Sequence, residues 1–230
     1  MSFKLAHLSD VHLPVLGAGQ VLRNFKGKRV IGGFSWFLNR RRRHLLSVAN
    51  ALKASILAAE VDHVALTGDL VNIAAWDEFP AAANWIKDFG APSNLSFVPG
   101  NHDAYVTVPW SNGLQHLAPW MKPDKHEPQD DTLLFPYVRM RRNVALIGIN
   151  SGQPQNYLKA SGTVGEQQLR DLQHILNMLG SQGFYRVVMI HHPPLPNLCK
   201  PRKALTDASA LKDVLKTEGC ELVLHGHNHK

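Results

Sequence analysis

Five short clusters in this chain combine carboxylates, imidazoles and amides. They read Asp10-Val11-His12, Gly68-Asp69, Gly100-Asn101-His102-Asp103, His191-His192-Pro193-Pro194 and His225-Gly226-His227-Asn228-His229. Asp carboxylates, imidazoles and an Asn carbonyl make a mixed oxygen and nitrogen donor set. Such a set suits Mn, Fe, Zn or Co and lacks any soft sulfur donor. Alternation along an extended segment would put Asp10 and His12 on one side, within reach of one ion, and would do the same for His227 and His229. Seven such donors exceed the needs of one ion and suit two ions sharing a bridging carboxylate. Gly68, Gly100 and Gly226 beside them would allow close backbone approach or positive φ.

Short apolar runs alternating with helical patterns predict βαβ units that bring these clusters together. Strands are expected over Lys4 to Ser9, Asp62 to Thr67, Leu95 to Val98, Val144 to Asn150, Arg186 to Ile190 and Glu221 to Leu224. Helices are expected at about 44–59, 76–89, 164–179 and 206–218. The third has Thr163 and Glu166 in capping-box spacing and an apolar face of Leu169, Leu172, Leu176 and Leu179. The fourth ends at Gly219. The clusters lie where strands stop, so they would converge on one rim at the carboxyl ends of the sheet. Residues 105–143 read as irregular loops, and about 13–43 as an insertion.

At 230 residues, with 44% hydrophobic and 19% charged residues, the chain is sized for one α/β domain with a sizeable core. No apolar run reaches the ~18–20 residues of a membrane span. The N-terminus reads as a strand with no secretory signal. Only Cys199 and Cys220 occur, without a CxxC pair, so a cytoplasmic, reducing setting is the expectation. The net charge of +7 is concentrated: no acidic residue lies between Asp10 and Glu60, where Arg23, Lys26, Lys28, Arg29, Arg40 to Arg43 and Lys53 stand. A nucleic-acid coat would spread such charge over a face, so specific nucleic-acid binding is not expected. The Arg40 to Arg43 run follows Phe34, Trp36, Phe37 and Leu38. It reads as a solvated helix start, or as a contact for an anionic substrate or a peripheral contact with an acidic membrane.

D-x-H, G-D, G-N-H-D, H-H-P-P and G-H-x-H, in this order from residue 10 to residue 229, resemble the calcineurin-like metallophosphoesterase family. The resemblance implies an α/β sandwich, central β-sheets flanked by α-helices, with residues 1–230 as one domain. It implies that Asp10, His12 and His229 hold one metal and that Asn101, His191 and His227 hold the other, with Asp69 bridging them. His191 is preferred to His192 because the family's ligand precedes proline by two positions. His102 resembles the family's non-ligand histidine near the scissile phosphate, and Asp103 could orient its imidazole. The family continues with further strands, so the chain is expected to be truncated after Lys230.

The implied chemistry is phosphate-ester hydrolysis with two divalent or trivalent ions, Mn, Fe, Zn or Co, about 3.5–4 Å apart. A phosphodiesterase acting on a small nucleotide or a phospholipid-like substrate is the favoured reading. A phosphomonoesterase or protein phosphatase is the alternative, and the intact ligand set argues against a non-catalytic scaffold. His7, His44, His63, His116, His126 and His174 lie outside the motifs and read as surface or core residues. His192 and His225 read as neighbours of the ligands or of substrate.

Overall fold

The computed structural model describes residues 2–14, 26–35, 44–124 and 135–229. Two sheets face each other. The first holds β1 (Leu5–Leu8), β2 (His63–Leu66) and β3 (Leu95–Phe97) in that order, all parallel. The second runs β4 (Tyr137–Arg141), β5 (Val144–Gly148), β6 (Tyr185–Met189) and β7 (Leu222–Leu224), with β4 antiparallel and the rest parallel.

Period-two alternation builds both cores. Val144, Leu146, Val187 and Met189 join Leu8, Val64, Leu66 and Phe97 between the sheets. The intervening residues, Ala145, Ile147, Val188 and Ile190, turn to the outer core with Leu169, Leu172, Leu176 and Leu179. A one-residue slip would exchange the two faces, so burial on both sides sets the register.

Besides α1 (Lys28–Ser35), the main helices are α2 (Leu46–Ala58), α3 (Glu78–Lys87), α4 (Glu166–Ser181) and α5 (Ala208–Glu218). The leucine face expected for α4 is buried, but the capping box is not formed. Thr163 Oγ1 instead pairs with Thr206 Oγ1 at 2.6 Å. The orphan N–H groups of Val164 and Gly165 donate to the Asp207 carboxylate, 42 or 43 residues away in sequence. Tertiary contact replaced the local cap.

Regular structure lies inside both the stretch read as irregular loops and the stretch read as an insertion. β4 lies inside 105–143, hidden because its inward positions include an arginine. Tyr137 O–H donates to the Phe97 carbonyl at 2.8 Å, and Arg139 donates to the carbonyls of Lys122, Pro92 and Pro119 at 2.6–2.8 Å. Carbonyl acceptors make this buried guanidinium tolerable. α1 lies inside the 13–43 insertion, pinned by Arg29 donating to the carbonyls of Ile73 and Ala74. Gly32 lets it approach, since a Cβ there would come within 2.7 Å of Tyr105 Oη. Arg40 to Arg43 and His126 lie outside the described residues.

Candidate metal centre

The clusters leave β1, β2, β3, β6 and β7 at their carboxyl ends, where the two sheets meet. Local geometry departs from the extended alternation expected for D-x-H and H-x-H. Asp10 (φ 55°), His12 (46°), Asp69 (57°), His227 (73°) and His229 (52°) are all left-handed. Such non-glycine positions cost on the order of 1–3 kcal/mol each and persist only where the surroundings over-determine them. Here they do. Asp10 N–H donates to the Gly68 carbonyl at 3.1 Å and His12 N–H to the Asp69 carbonyl at 2.9 Å, extending the β1–β2 pairing past both strands. Across the sheets, His227 N–H donates to Asp10 Oδ2 at 2.8 Å, and His191 Nδ1 lies 2.8 Å from the Thr67 carbonyl. The site residues are themselves ties between the sheets. Gly100 is required by close approach, because a Cβ there would collide with the Asp69 carboxylate.

Ligand-type atoms of Asp10, His12 and His229 lie within 4.8 Å of one another, and so do those of Asp69, His191 and His227. Asp69 Oδ2 connects the two groups, 3.7 Å from His12 Nε2 and 3.4 Å from His191 Nε2. Its other oxygen accepts the His102 N–H at 2.7 Å. Asn101 Oδ1 lies 3.1 Å from His191 Nε2, and His227 Nδ1 lies 3.2 Å from the same atom. The structure therefore brings together all seven residues expected as ligands.

Electrostatics favours a cation here. Burial raises the Asp10 carboxyl, but the bond from His229 and the nearby His191 outweigh it and hold the group at about 2. Burial also opposes charge on His191, yet the Asp69 carboxylate lifts it to about 9. His191 Nδ1 and His12 Nδ1 face backbone carbonyls, of Thr67 and of Val71 at 3.2 Å, which aims both Nε2 atoms at Asp69. Carbonyl-oriented imidazoles of this kind are how proteins fix a metal-ligand tautomer. His227 Nε2 is buried without a hydrogen-bond partner, and Asp10 Oδ1 meets only His229 Nε2, at 3.3 Å. Donor set and these atoms together fit a pair of divalent ions.

His102 packs edge-on to His12, ring centroids 4.8 Å apart at 87°. Its Nδ1 meets the Asn72 carbonyl, and Tyr105 stacks on it at 5.5 Å and 9°. Asp103 does not orient this ring, contrary to expectation. Its Oδ1 accepts the N–H groups of Leu70 (3.0 Å) and Val71 (3.2 Å), and its Oδ2 those of Asp69 (2.7 Å) and Gly100 (2.8 Å). Burial and the Asp69 charge push its carboxyl up to about 7, against the pull of these donors. Asp103 shapes the ligand loops and leaves the imidazole to Asn72.

Several residues around the centre gave no motif signal. Glu78, fully buried, accepts the N–H groups of Asn72, Ile73 and Ala75 at 2.7–3.0 Å and so sets the loop that offers the Asn72 carbonyl. Lys28 lies over the Tyr105 ring at 4.5 Å and donates to the Gln155 carbonyl at 3.0 Å. His44 packs 4.8 Å from His12 and 6.1 Å from His229, so its reading as an unrelated histidine is corrected. His192 is pinned by Ser151 Oγ at 2.8 Å and the Ala160 carbonyl at 3.2 Å, and supports the site from behind. His225 lines a cavity of about 530 Å³ with His7, Ser9, Asp10, Gly226, Asn228 and His229.

The family model for calcineurin-like phosphoesterases matches residues 3–230. No curated protein sequence matches the chain. Among solved structures, it is similar to a dimetal phosphatase from Danio rerio, with a TM-score of 0.60 and 16% identity over 99% of this chain and 82% of that one. At that identity the likeness speaks for the fold.

Proposed function

We propose that this chain, which belongs to the calcineurin-like phosphoesterase family and is a metal-dependent phosphoesterase, hydrolyses phosphodiesters. The observation that supports a diester is the cavity of about 530 Å³ opening beside Asp10 and His229. A diester keeps one alcohol while losing the other. The cavity gives the retained alcohol a place, and His102 serves the leaving one.

In this reading Asp10, His12 and His229 would hold one ion and Asn101, His191 and His227 the second, with Asp69 placed to serve both. When bound, such ions supply Lewis acidity toward phosphoryl oxygens and a water acidic enough to attack near neutral pH. The protein's own part is orientation and proton handling. The Asn72 carbonyl accepts the Nδ1–H of His102, so the proton given to the leaving oxygen is the second proton of the imidazolium, on Nε2, and its loss leaves the neutral ring. Positioned acid–base help of this kind typically contributes about 10²–10⁴-fold. Tyr105 and Lys28 hold that ring in place. The mixed donor set, free of sulfur, suits Mn, Fe, Zn or Co. Small nucleotides and phospholipid-like esters both belong to the proposed class.

The test is turnover of bis-p-nitrophenyl phosphate beside p-nitrophenyl phosphate by manganese-loaded protein. Higher kcat/KM on the diester is expected. Preference for the monoester would replace this reading with a phosphomonoesterase.

A further inference from the structure

The four imidazoles assigned to the ions are not held alike. Nδ1 of His12 and Nδ1 of His191 each face a backbone carbonyl, at 3.2 and 2.8 Å, which fixes the rotation of the ring. Such a partner on the second nitrogen is the usual way of orienting a metal-ligating histidine. Among the described residues, no carbonyl faces the ring of His227 or of His229. His227 is instead enclosed. It is buried, and its ring lies 4.5 Å from that of His192, which Ser151 and the Ala160 carbonyl pin in turn.

His229 lacks that enclosure. Its side chain is 46% exposed, and the one polar contact of its ring among the described residues is Asp10 Oδ1 at 3.3 Å. Packing against two other rings is what limits it. It stacks on His12 with centroids 5.2 Å apart at 24°, and His44 stands edge-on to it at 6.1 Å and 72°. His44 also stands edge-on to His12, at 4.8 Å and 61°. Both separations fall in the range of about 4.5–7 Å at which edge-on rings attract. The ligand-type atoms that gather within 4.8 Å of one another include those of His12 and His229 but not of His44.

His44 is half-buried, and its place is set from outside the ligand clusters. It directly precedes Leu45 and α2, which is locked to α3. Trp85 Nε1 donates to Asn50 Oδ1 at 2.9 Å, while Lys53 pairs with Asp88 and lies over the Trp85 ring at 4.9 Å. Ile56 packs against the core. We propose that His44 is a positioning residue, whose ring confines that of His229 so that the first ion meets a preset pair of imidazoles. It does for His229 what His192 does for His227. Without it, the His229 ring would have to give up its own freedom when the ion binds, and affinity would fall. The proposal rests on the ligand assignment above and is independent of which ester is cleaved.

The experiment is calorimetric titration of metal-stripped protein with manganese. Wild-type protein should take up two ions. His44→Ala should weaken one of them by about tenfold to a hundredfold, the range for losing a residue that orients a ligand. The other ion should bind within a few-fold of wild type, which also shows that the variant is folded. His44→Phe keeps an aromatic edge without a ring nitrogen and should bring the weakened ion back to within a few-fold of wild type. An Ala variant that binds both ions as wild type does overturns the proposal, and so does equal weakening of both ions. A Phe variant as weak as Ala overturns it too, because a nitrogen of His44 would then be needed as a ligand or hydrogen-bond partner. Wild-type protein that takes up fewer than two ions overturns the ligand assignment itself, a failure distinct from an unaffected Ala variant of a two-ion protein.

Discussion

Asp103→Ala tests whether this carboxylate shapes the ligand loops or serves catalysis directly. The wild-type carboxylate is 2% exposed and accepts four backbone N–H groups, from Asp69, Leu70, Val71 and Gly100, at 2.7–3.2 Å. Alanine strips all four of their acceptor. An unsatisfied buried donor costs about 1–3 kcal/mol, which sets a ceiling of about 4–12 kcal/mol for the four. Water entering the vacated space would satisfy some of them, so a loss of about 3–5 kcal/mol is expected, a large share of the ~5–15 kcal/mol typical of a domain. Asp103→Asn should lose roughly half as much, because its amide nitrogen would face two N–H donors while its oxygen still accepts the other pair. Urea unfolding followed by circular dichroism reads the loss as a fall in midpoint at unchanged slope. Metal content should fall in parallel, since Asp69 and Asn101 flank the anchored amides. An orienting carboxylate would instead leave the urea midpoint unchanged and lower kcat alone. That result would refute the reasoning.

Asp69→Ala should reduce bound manganese well below the wild-type amount and abolish diester turnover with the secondary structure kept; substantial residual turnover, measured with elemental analysis, would remove Asp69 from its shared position. His102→Ala should keep metal content and lower kcat by about 10²–10⁴-fold. The loss should be smallest on p-nitrophenyl esters, whose leaving group needs little protonation, and an equal loss across leaving groups would count against proton transfer. Tyr105→Phe keeps the stacked ring and should leave kcat within a few-fold of wild type, whereas Tyr105→Ala should lower it without loss of metal. His63 is buried against Ser96, and burial with the charges of Arg141 and Arg139 lowers it to about 3. Its unfolded value is about 6.5, so between pH 6.5 and 3 the unfolded chain binds a proton that the folded chain refuses. Stability should therefore fall with pH across that window, by up to a few kcal/mol from this group. His63→Gln should flatten the dependence of the urea midpoint on pH, and an unchanged slope would refute the assignment.

What the sequence determined about this protein was whatever depends on residue type and local spacing. Short apolar runs marked six of the seven strands among the described residues, because strands covered on both faces read as continuous apolar stretches. The five clusters followed those strands, and the resemblance that they carry named the seven residues that the structure brings together. The leucine face of α4 was legible from its helical period. Only the tertiary structure decided which atoms are partners. Asp103 adjoins His102 in the chain, yet its oxygens turn to backbone amides while Asn72, thirty residues away, takes the imidazole. Thr163 and Glu166 had the spacing of a cap, but Thr163 N–H donates to the Ser151 carbonyl and Asp207, from another loop, accepts the N–H groups of Val164 and Gly165. β4 was concealed because Arg139 looks exposed until its carbonyl acceptors are assembled around it. His44 carried no motif and reached the centre only through packing. Hydrogen bonds act over about 3 Å, a distance that chain order does not control beyond a few residues. The identity of the donors is therefore written in the chain, and their partners are chosen when the two sheets close on each other.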